Sequence, residues 1–503
     1  DQHDTIGTRN AVWFTECLGS SNPVGCPLRQ QHTDLRGPVA PGAGRRLPVS
    51  VSTDEQQTII VQPKRHWSQL GLLILAWALG VSGYLLTELN IHDDLPTNWQ
   101  VIVGGWLAVV LACHLVTRFA IPYADPVILP VVVTLNGLGL AMIHRIDLIA
   151  APPRHRFEAQ LVWTLAGMIL WALTVTVLRD YRKLQQIPYV LFLVGLVLLL
   201  LPIVPVIGTE INGSRIWVHL GPFSLQPAEI AKVVLAVAFA GYLVEKRDVL
   251  SVAGRKVLGI QLPRLRDIGP ISVVWLASML VIVFERDLGT GMLFFGMFVV
   301  MLYVATGRTG WVVLGGIAAI VGAWGAIALT PHVGTRINAW LHPFDDFDKN
   351  RQVIEAQYGM AWGGLAGRGW GLGRPGLVTF SWSDFISSSI GEELGVTGLL
   401  AIIVLYALLV FRGLRAALAS RDGFGTLLAA GLAFVFALQV FAIIGGVTRL
   451  LPLTGLTTPF MSQGGSSLIA NWVIIGIFMT ISHQARRPVD QIMIPTPRGG
   501  EQA

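Results

Sequence analysis

Ile187-Pro-Tyr-Val-Leu-Phe-Leu-Val-Gly-Leu-Val-Leu-Leu-Leu-Leu-Pro-Ile-Val-Pro-Val-Ile207 carries no charged side chain from end to end. Such a run matches what a helix needs to cross a bilayer, about 20 apolar residues at about 1.5 Å each. Charges wait just outside it: Arg179, Arg182 and Lys183 before, Glu210 and Arg215 after.

The pattern repeats along the chain. Comparable runs lie near 67–88, 100–120, 126–143, 159–178, 225–245, 269–285, 288–305, 311–330, 386–411, 424–446 and 466–484. With 187–207 they predict twelve membrane helices. Only Arg286 and Asp287 part 269–285 from 288–305, so that pair reads either as a tight hairpin or as one kinked element. The fold class expected is all-α, a polytopic integral membrane protein. Composition agrees: 53% of the 503 residues are hydrophobic, only 13% are charged, and the mean hydropathy is +0.61. A soluble chain carries about a quarter charged residues. The 55 glycines and 16 tryptophans also suit a lipid-embedded protein.

Charge sets the orientation. Lys246, Arg247, Arg255, Lys256, Arg264 and Arg266 fill one loop, Arg179, Arg182 and Lys183 a second, and Arg412, Arg415 and Arg421 a third. All three fall on one side if both termini are cytoplasmic, as the positive-inside rule requires. Loop 89–99 on the other side has no Lys or Arg, whereas 144–158 is an exception with Arg145, Arg154 and Arg156. The net charge of +6 is thus a loop signature and not a nucleic-acid footprint.

Residues 1–65 are polar and have no apolar run long enough for a signal peptide, so a disordered cytoplasmic tail is expected. Two further helices at 66–122, a membrane core at 123–485 and a cytoplasmic tail at 486–503 complete the organisation. Cys17, Cys26 and Cys113 form neither a disulfide framework nor a metal spacing. One connection, 331–385, leaves the membrane on the outer face for far longer than ordinary loops do, and connections this long are usually functional. It holds Asp345, Asp346, Asp348, a Gly-rich stretch at 363–376 and Trp340, Trp362, Trp370 and Trp382.

Several short segments carry chemistry. Asn212-Gly-Ser-Arg-Ile-Trp-Val precedes Gln226-Pro-Ala-Glu-Ile-Ala-Lys, in which Glu229 and Lys232 share a helical face and can pair. Ions inside a membrane helix are costly and mark function, unless the pair sits near the helix end and snorkels. Arg215 on the short outer loop could meet an anionic headgroup. Glu285-Arg286-Asp287-Leu-Gly-Thr is either a self-satisfied turn or part of a cavity. Arg336-Ile-Asn-Ala-Trp-Leu-His-Pro-Phe-Asp345-Asp346 sets carboxylates beside aromatic residues at the membrane surface, where a pKa can rise towards a base's range. A solvated acidic turn is the plainer reading. Asp384, Glu392 and Glu393 lie at the start of a membrane helix, where capping alone could explain them, although Glu392 and Glu393 fall several residues into the apolar run and at least one is expected to face the protein interior. Gly464-Gly465-Ser466-Ser467 offers backbone N–H groups to a phosphate, or merely caps the last helix. The Gly-x-Gly-x-Gly within 363–376 lacks a preceding strand, which argues against a dinucleotide site.

Taken in order, these pieces resemble the SEDS family (RodA, FtsW, SpoVE) over roughly 125–485. The motifs are Asn212-Gly-Ser-Arg…Trp, Gln226-Pro-x-Glu-x-x-Lys, Asp287-Leu-Gly-Thr, Arg336…Trp-x-x-Pro-x-x-Asp346, Ser383-Asp384-Phe-Ile…Ile-Gly-Glu-Glu-Leu-Gly and Leu451-Pro-Leu-Thr-Gly…Gly-Gly-Ser-Ser. The loops and the 445–452 run look closest to RodA. The resemblance implies a ten-helix core beginning at 126–143, with two added helices before it. It implies an inverting peptidoglycan glycosyltransferase that polymerises lipid II into β-1,4-linked strands during elongation and releases undecaprenyl pyrophosphate. Asp346 matches the family's essential aspartate, as general base towards the acceptor hydroxyl or as holder of a divalent cation (Mg²⁺ or Mn²⁺) at the pyrophosphate. Arg215, Glu229, Lys232, Arg336, Gln352, Asp384, Glu392, Gly464, Gly465 and Ser466 are the expected substrate-binding residues. The implied partner is a class B penicillin-binding protein, and the implied location is the bacterial plasma membrane. The chain departs from the family at Asn350-Arg351-Gln352, where Gly-Tyr-Gln is usual, and at Gln463 before Gly464. A lipid-precursor flippase and a catalytically weakened scaffold for a transpeptidase are the alternatives.

Overall fold

The computed structural model describes residues 64–488 apart from 153, 206, 212–213, 222, 248–255, 258–259, 262–275, 277–278, 280–286 and 330. The N-terminal tail up to residue 63, the helix expected at 269–285 apart from Leu276 and Met279, Glu285, Arg286, Asn212, Gly213, Cys17, Cys26 and the last residues of the C-terminal tail therefore lie outside the described residues.

Among the described residues, nine helices are long and apolar enough to cross a membrane, and two shorter apolar ones accompany them. In chain order they are α1 (His66–His92), α2 (Trp99–Ala120), α3 (Ile128–Leu148), α4 (Arg156–Val177), α5 (Pro188–Leu200), α6 (Pro227–Glu245), α7 (Leu288–Thr306) and α8 (Gly310–Leu329). Then come α9 (Pro331–Leu341) and α10 (Phe347–Gly363) within the long connection, and α11 (Ile386–Ala419), α12 (Gly423–Val447) and α13 (Gly465–Arg486). Eleven of the twelve expected membrane helices are thus present, the twelfth falling on residues not described. Local signals start several of them. Pro188 and Pro227 occupy first-turn positions, where the missing N–H is no loss. The carboxylates of Asp287 and Asp422 cap α7 and α12 by accepting from Thr290 N (3.0 Å) and Gly425 N (2.8 Å).

Burial separates an inner from an outer set. α3, α6, α12 and α13 are buried along most of their length, while α2 and the far half of α11 turn Leu115, Phe119, Val404 and Leu418 outward. The centre holds large side chains such as Trp171, Trp472, Phe239 and Phe436.

Two sets of polar ties mark the two ends of the bundle. At one, Asp125 receives Arg486 (2.6 Å) and Arg412 (3.3 Å), and the Tyr181 hydroxyl donates to Asp422 (2.5 Å). This end carries most of the Lys and Arg noted above, and we call it the basic end. At the other, the loop end, Arg145 of α3 reaches Glu393 of α11 (3.1 Å) and the carbonyl of Gly373 (2.9 Å). Trp370 Nε1 donates to Thr87 of α1 (2.8 Å), and Asn90 Nδ2 to the Trp370 carbonyl (2.6 Å).

Three features depart from the sequence expectation. Residues 208–225 form a three-stranded antiparallel sheet, β1 (Gly208–Ile211), β2 (Ser214–Leu220) and β3 (Phe223–Leu225), where an open loop was expected. β2 alternates Arg215, Trp217 and His219 with Ile216, Val218 and Leu220, the period-2 pattern of a strand. About half of the connection 331–385 is helical, in α9 and α10. Finally, α11 runs on to Ala419 beyond the apolar stretch ending near 411, and it breaks at Gly395 (φ 69°). The break lets the Gly-rich segment dock: Val396 N bonds the Gly364 carbonyl, and Arg368 N and Gly369 N bond the carbonyls of Glu392 and Glu393. A Cβ at residue 395 would lie 2.4 Å from Gly367 N, so only glycine fits.

Candidate active site at the loop end

The long connection builds a cavity of about 330 Å³ against the end of α12. α9 supplies Arg336 and Trp340, α10 supplies Lys349 and Gln352, and Phe380, Asp384 and Arg449 complete the wall. Arg336, Gln352 and Asp384, far apart in sequence, are thereby brought together. Lys349 and Arg449 were not among the expected site residues, yet both line it.

Each side chain is held for a stated reason. Arg336 Nη1 donates to the carbonyls of Leu453 (3.3 Å) and Thr454 (3.2 Å), which anchors α9 to the 451–464 segment. Burial pulls its guanidinium below the usual range, with the carboxylates of Asp287 and Asp384 opposing that pull. Even so it stays charged. Arg449 has φ +60°, an uncommon conformation for a non-glycine residue. A reciprocal pair of bonds fixes it, Arg449 Nε to the Trp340 carbonyl (3.2 Å) and Trp340 Nε1 to the Arg449 carbonyl (3.0 Å). Phe380 on the same wall also has positive φ. Strained backbone of this kind persists where its surroundings over-determine it, often at functional sites. Gln352 donates to the Thr379 carbonyl (2.9 Å). Asp384 is pushed up to about 6 by burial, against the lowering effects of Ser383 and Arg336. The wall thus carries the cations Arg336, Lys349 and Arg449 and the buried carboxylate of Asp384, which Arg336 influences.

Asp346 lies in the turn before α10, with its carboxylate about two-fifths exposed, and lines neither this cavity nor its neighbour. It is the N-cap of α10, accepting from Lys349 N (3.2 Å), and its carboxylate pairs with Lys349 Nζ (2.6 Å). Those bonds to Lys349 hold its pKa below the ordinary carboxylate value. In sequence it falls between Phe344, which lines a second cavity of about 240 Å³, and Lys349, which lines the first. Val353 and Arg449 belong to both cavities.

The remaining candidates are placed elsewhere. Glu229 and Lys232 pair at 2.7 Å within α6, both buried, and Lys232 also donates to Gln439 of α12 (3.0 Å). Gln439 in turn holds the Thr457 carbonyl (3.0 Å). This trio supports the 451–464 segment from below. Gly464 N donates to Gln160 (3.2 Å), and Ser466 Oγ accepts from Gln226 N (3.1 Å). A Cβ on Gly465 would meet the Trp163 ring at 2.4 Å. The Gly-Gly-Ser-Ser turn is therefore a packed joint between α4, α6 and α13. Glu392 accepts from Arg374 N (2.7 Å) and, with Glu393, secures the Gly-rich segment. Arg215 on β2 pairs with Glu210 (3.2 Å). Among the described residues no group of three or more His, Cys, Asp or Glu could hold a metal ion.

The profile of a family described as cell cycle protein, covering FtsW, RodA and SpoVE, matches residues 126–487. The match begins at α3 and leaves α1 and α2 outside. The peptidoglycan glycosyltransferase RodA of Mycobacterium tuberculosis is 44% identical over 85% of this chain and 92% of its own length. That coverage is too large for residues 126–503 alone, so the likeness extends into the segment before α3. Stage V sporulation protein E of Bacillus subtilis is 31% identical over 72% of this chain and 98% of its own. Among solved structures, a chain from a study of how a peptidoglycan synthase complex coordinates polymerization and crosslinking superposes with a TM-score of 0.58. It has 27% identity and covers 72% of this chain and 98% of that one. A variant of the rod shape determining protein RodA of Thermus thermophilus gives a TM-score of 0.52 at 26% identity, over 73% and 99%.

Proposed function

The chain belongs to the FtsW, RodA and SpoVE family of cell cycle proteins and acts as a peptidoglycan glycosyltransferase, and from that premise we propose that it polymerises lipid II with Asp346 as the base. One observation carries this reading: the Asp346 carboxylate pairs with Lys349, which lines the cationic cavity, and that cavity shares Val353 and Arg449 with the smaller one. A polymerase must bring two lipid-linked substrates together, and their reacting atoms must meet near a proton acceptor. The larger, cationic cavity takes the pyrophosphate of the donor strand, and the smaller takes the acceptor sugar.

In the reaction the acceptor 4-hydroxyl loses its proton to Asp346 as its oxygen bonds to the donor's anomeric carbon. The bond from that carbon to pyrophosphate oxygen breaks on the opposite face, so configuration inverts and undecaprenyl pyrophosphate leaves. A sugar hydroxyl is a poor acid, and a positioned base contributes about 10²–10⁴-fold. The leaving group gathers charge that Arg336, Lys349 and Arg449 stabilise. Asp346 in its resting pair with Lys349 is a weak base. Pyrophosphate competes for that ammonium, and drawing Lys349 into the cavity frees the carboxylate and raises its proton affinity. Substrate binding thereby arms the base.

A divalent cation fits only as a guest of the substrate. Asp346 would give it one oxygen and the pyrophosphate and water the rest, the kind of shell Mg²⁺ favours. The loop end faces outward and the basic end faces the cytoplasm, in keeping with the positive-inside rule. The partner is a class B penicillin-binding protein, a reading supported by the likeness to a chain of a peptidoglycan synthase complex.

The test is purified protein with lipid II, with and without EDTA, read as glycan strands on a gel. Polymer is expected. Translocation of a fluorescent lipid II across liposomes without any polymer would instead make the chain a flippase.

A further inference from the structure

The basic end holds a cavity of its own, of about 370 Å³, lined by Arg179, Arg182, Arg421 and Arg487 together with His483 and Gln484. Four guanidinium groups around one small space repel each other, and an anion between them removes that repulsion. Protein carboxylates do only part of this. Arg182 pairs with Asp422 (3.3 Å), while Arg179 and Arg421 have no carboxylate partner among the described residues.

The cavity is also built, and not merely basic. Arg421 Nη2 is fixed by the Arg487 carbonyl (2.7 Å), and the Gln484 side chain donates to the Arg179 carbonyl. His483 Nδ1 accepts from Tyr123 N (3.1 Å), which leaves Nε2 as the donor of that ring. One wall is apolar. Phe119 at the end of α2 lines the cavity and is largely exposed. From it an outward apolar track runs into the membrane along two touching helices, with Leu115 on α2 and Leu173 and Val177 on α4.

We propose that this cavity binds the headgroup of an anionic phospholipid, its phosphate among the arginines and its acyl chains along the α2–α4 track. Arginine forks match phosphate oxygens in pairs. A soluble phosphate would use the arginines but not the track, and so the track selects the lipid. Basic pockets between membrane helices at the cytoplasmic surface suit such headgroups. The site lies at the opposite end of the bundle from Asp346, so it acts as an anchor or regulator and not as part of the reaction.

The experiment places the full chain in phosphatidylcholine nanodiscs with graded phosphatidylglycerol and counts retained lipids by native mass spectrometry. Arg179→Gln and Arg421→Gln each should weaken phosphatidylglycerol retention about fivefold, and together about 25-fold. Lys183→Gln with Arg415→Gln, at the same end but off the cavity wall, should change it less than twofold. Should the double glutamine variant fail to fold, Arg179→Gln alone carries the comparison. Unchanged preference in Arg179→Gln, equal loss in the Lys183/Arg415 control, or full displacement of the lipid by millimolar inorganic phosphate would each overturn the proposal.

Discussion

Replacing Arg145 by Met should destabilise the protein far more than the loss of a surface charge would. Arg145 and Glu393 are both buried, 3.1 Å apart, and Arg145 also holds the Gly373 carbonyl at 2.9 Å. With the arginine gone, Glu393 keeps only the Gly371 N–H (2.8 Å) as counterpart to a desolvated charge. Breaking a buried pair from one side costs about 3–5 kcal/mol, which lowers the folded-to-unfolded ratio at least about 150-fold. Glu393→Gln should cost less, because the amide keeps a hydrogen bond to Gly371 while Arg145 loses its counter-ion. Arg145→Met with Glu393→Met removes both charges, and should be milder than Arg145→Met alone. The assay is reversible unfolding in mixed micelles with increasing SDS, read by tryptophan fluorescence. A cycle in which the two single effects simply add, or an Arg145→Met cost within about 1 kcal/mol, the range of surface pairs, would refute the reasoning.

Other expectations follow from the site. Lys349→Met removes the ammonium that holds Asp346 below its ordinary value, so the acid limb of the pH–rate profile for kcat/KM should move to higher pH; a limb that stays or falls contradicts the pairing. Asp384→Asn should stabilise the fold at high pH. Its folded value of about 6 lies above the unfolded 3.8, so folding takes up a proton between these values, and the wild type loses stability as pH rises towards 6. The gain above pH 6 should be about 2 kcal/mol, discounted because the side chain keeps some contact with cavity water, and it should vanish near pH 4 in denaturant titrations. Arg449→Ala should raise the KM for lipid II at least about tenfold, as expected for losing a charge-assisted contact, and an unchanged KM would remove Arg449 from the site.

Much of the bundle was legible because lipid imposes a simple rule, long apolar runs with charges outside them. The Glu229–Lys232 pair could be read from its spacing alone, since residues three apart share a helix face. Gln439 could not, because it reaches Lys232 from another helix. The sheet at 208–225 left a readable period-2 signal in Arg215–Leu220, masked by the dominance of apolar helices nearby. Asp346 was marked by its neighbours, but its ion pair with Lys349 depends on the turn that starts α10. Lys349 and Arg449 escaped notice because a single basic residue in a loop carries no periodicity, and the cavity joining them spans a hundred positions. The burial of Glu392 and Glu393 was legible from their depth in the apolar run, whereas the break at Gly395 that makes them a clamp for the Gly-rich segment was not.

Asp346 caps α10, so an alanine there would remove a helix cap along with the carboxylate. Asparagine caps a helix as well as aspartate does. Single-turnover polymerisation of lipid II by Asp346→Asn isolates the proton transfer: the rate should fall about 10²–10⁴-fold while lipid II binding and thermal stability hold. A rate within a few-fold of wild type would show that the sugar hydroxyl gives its proton to some other group.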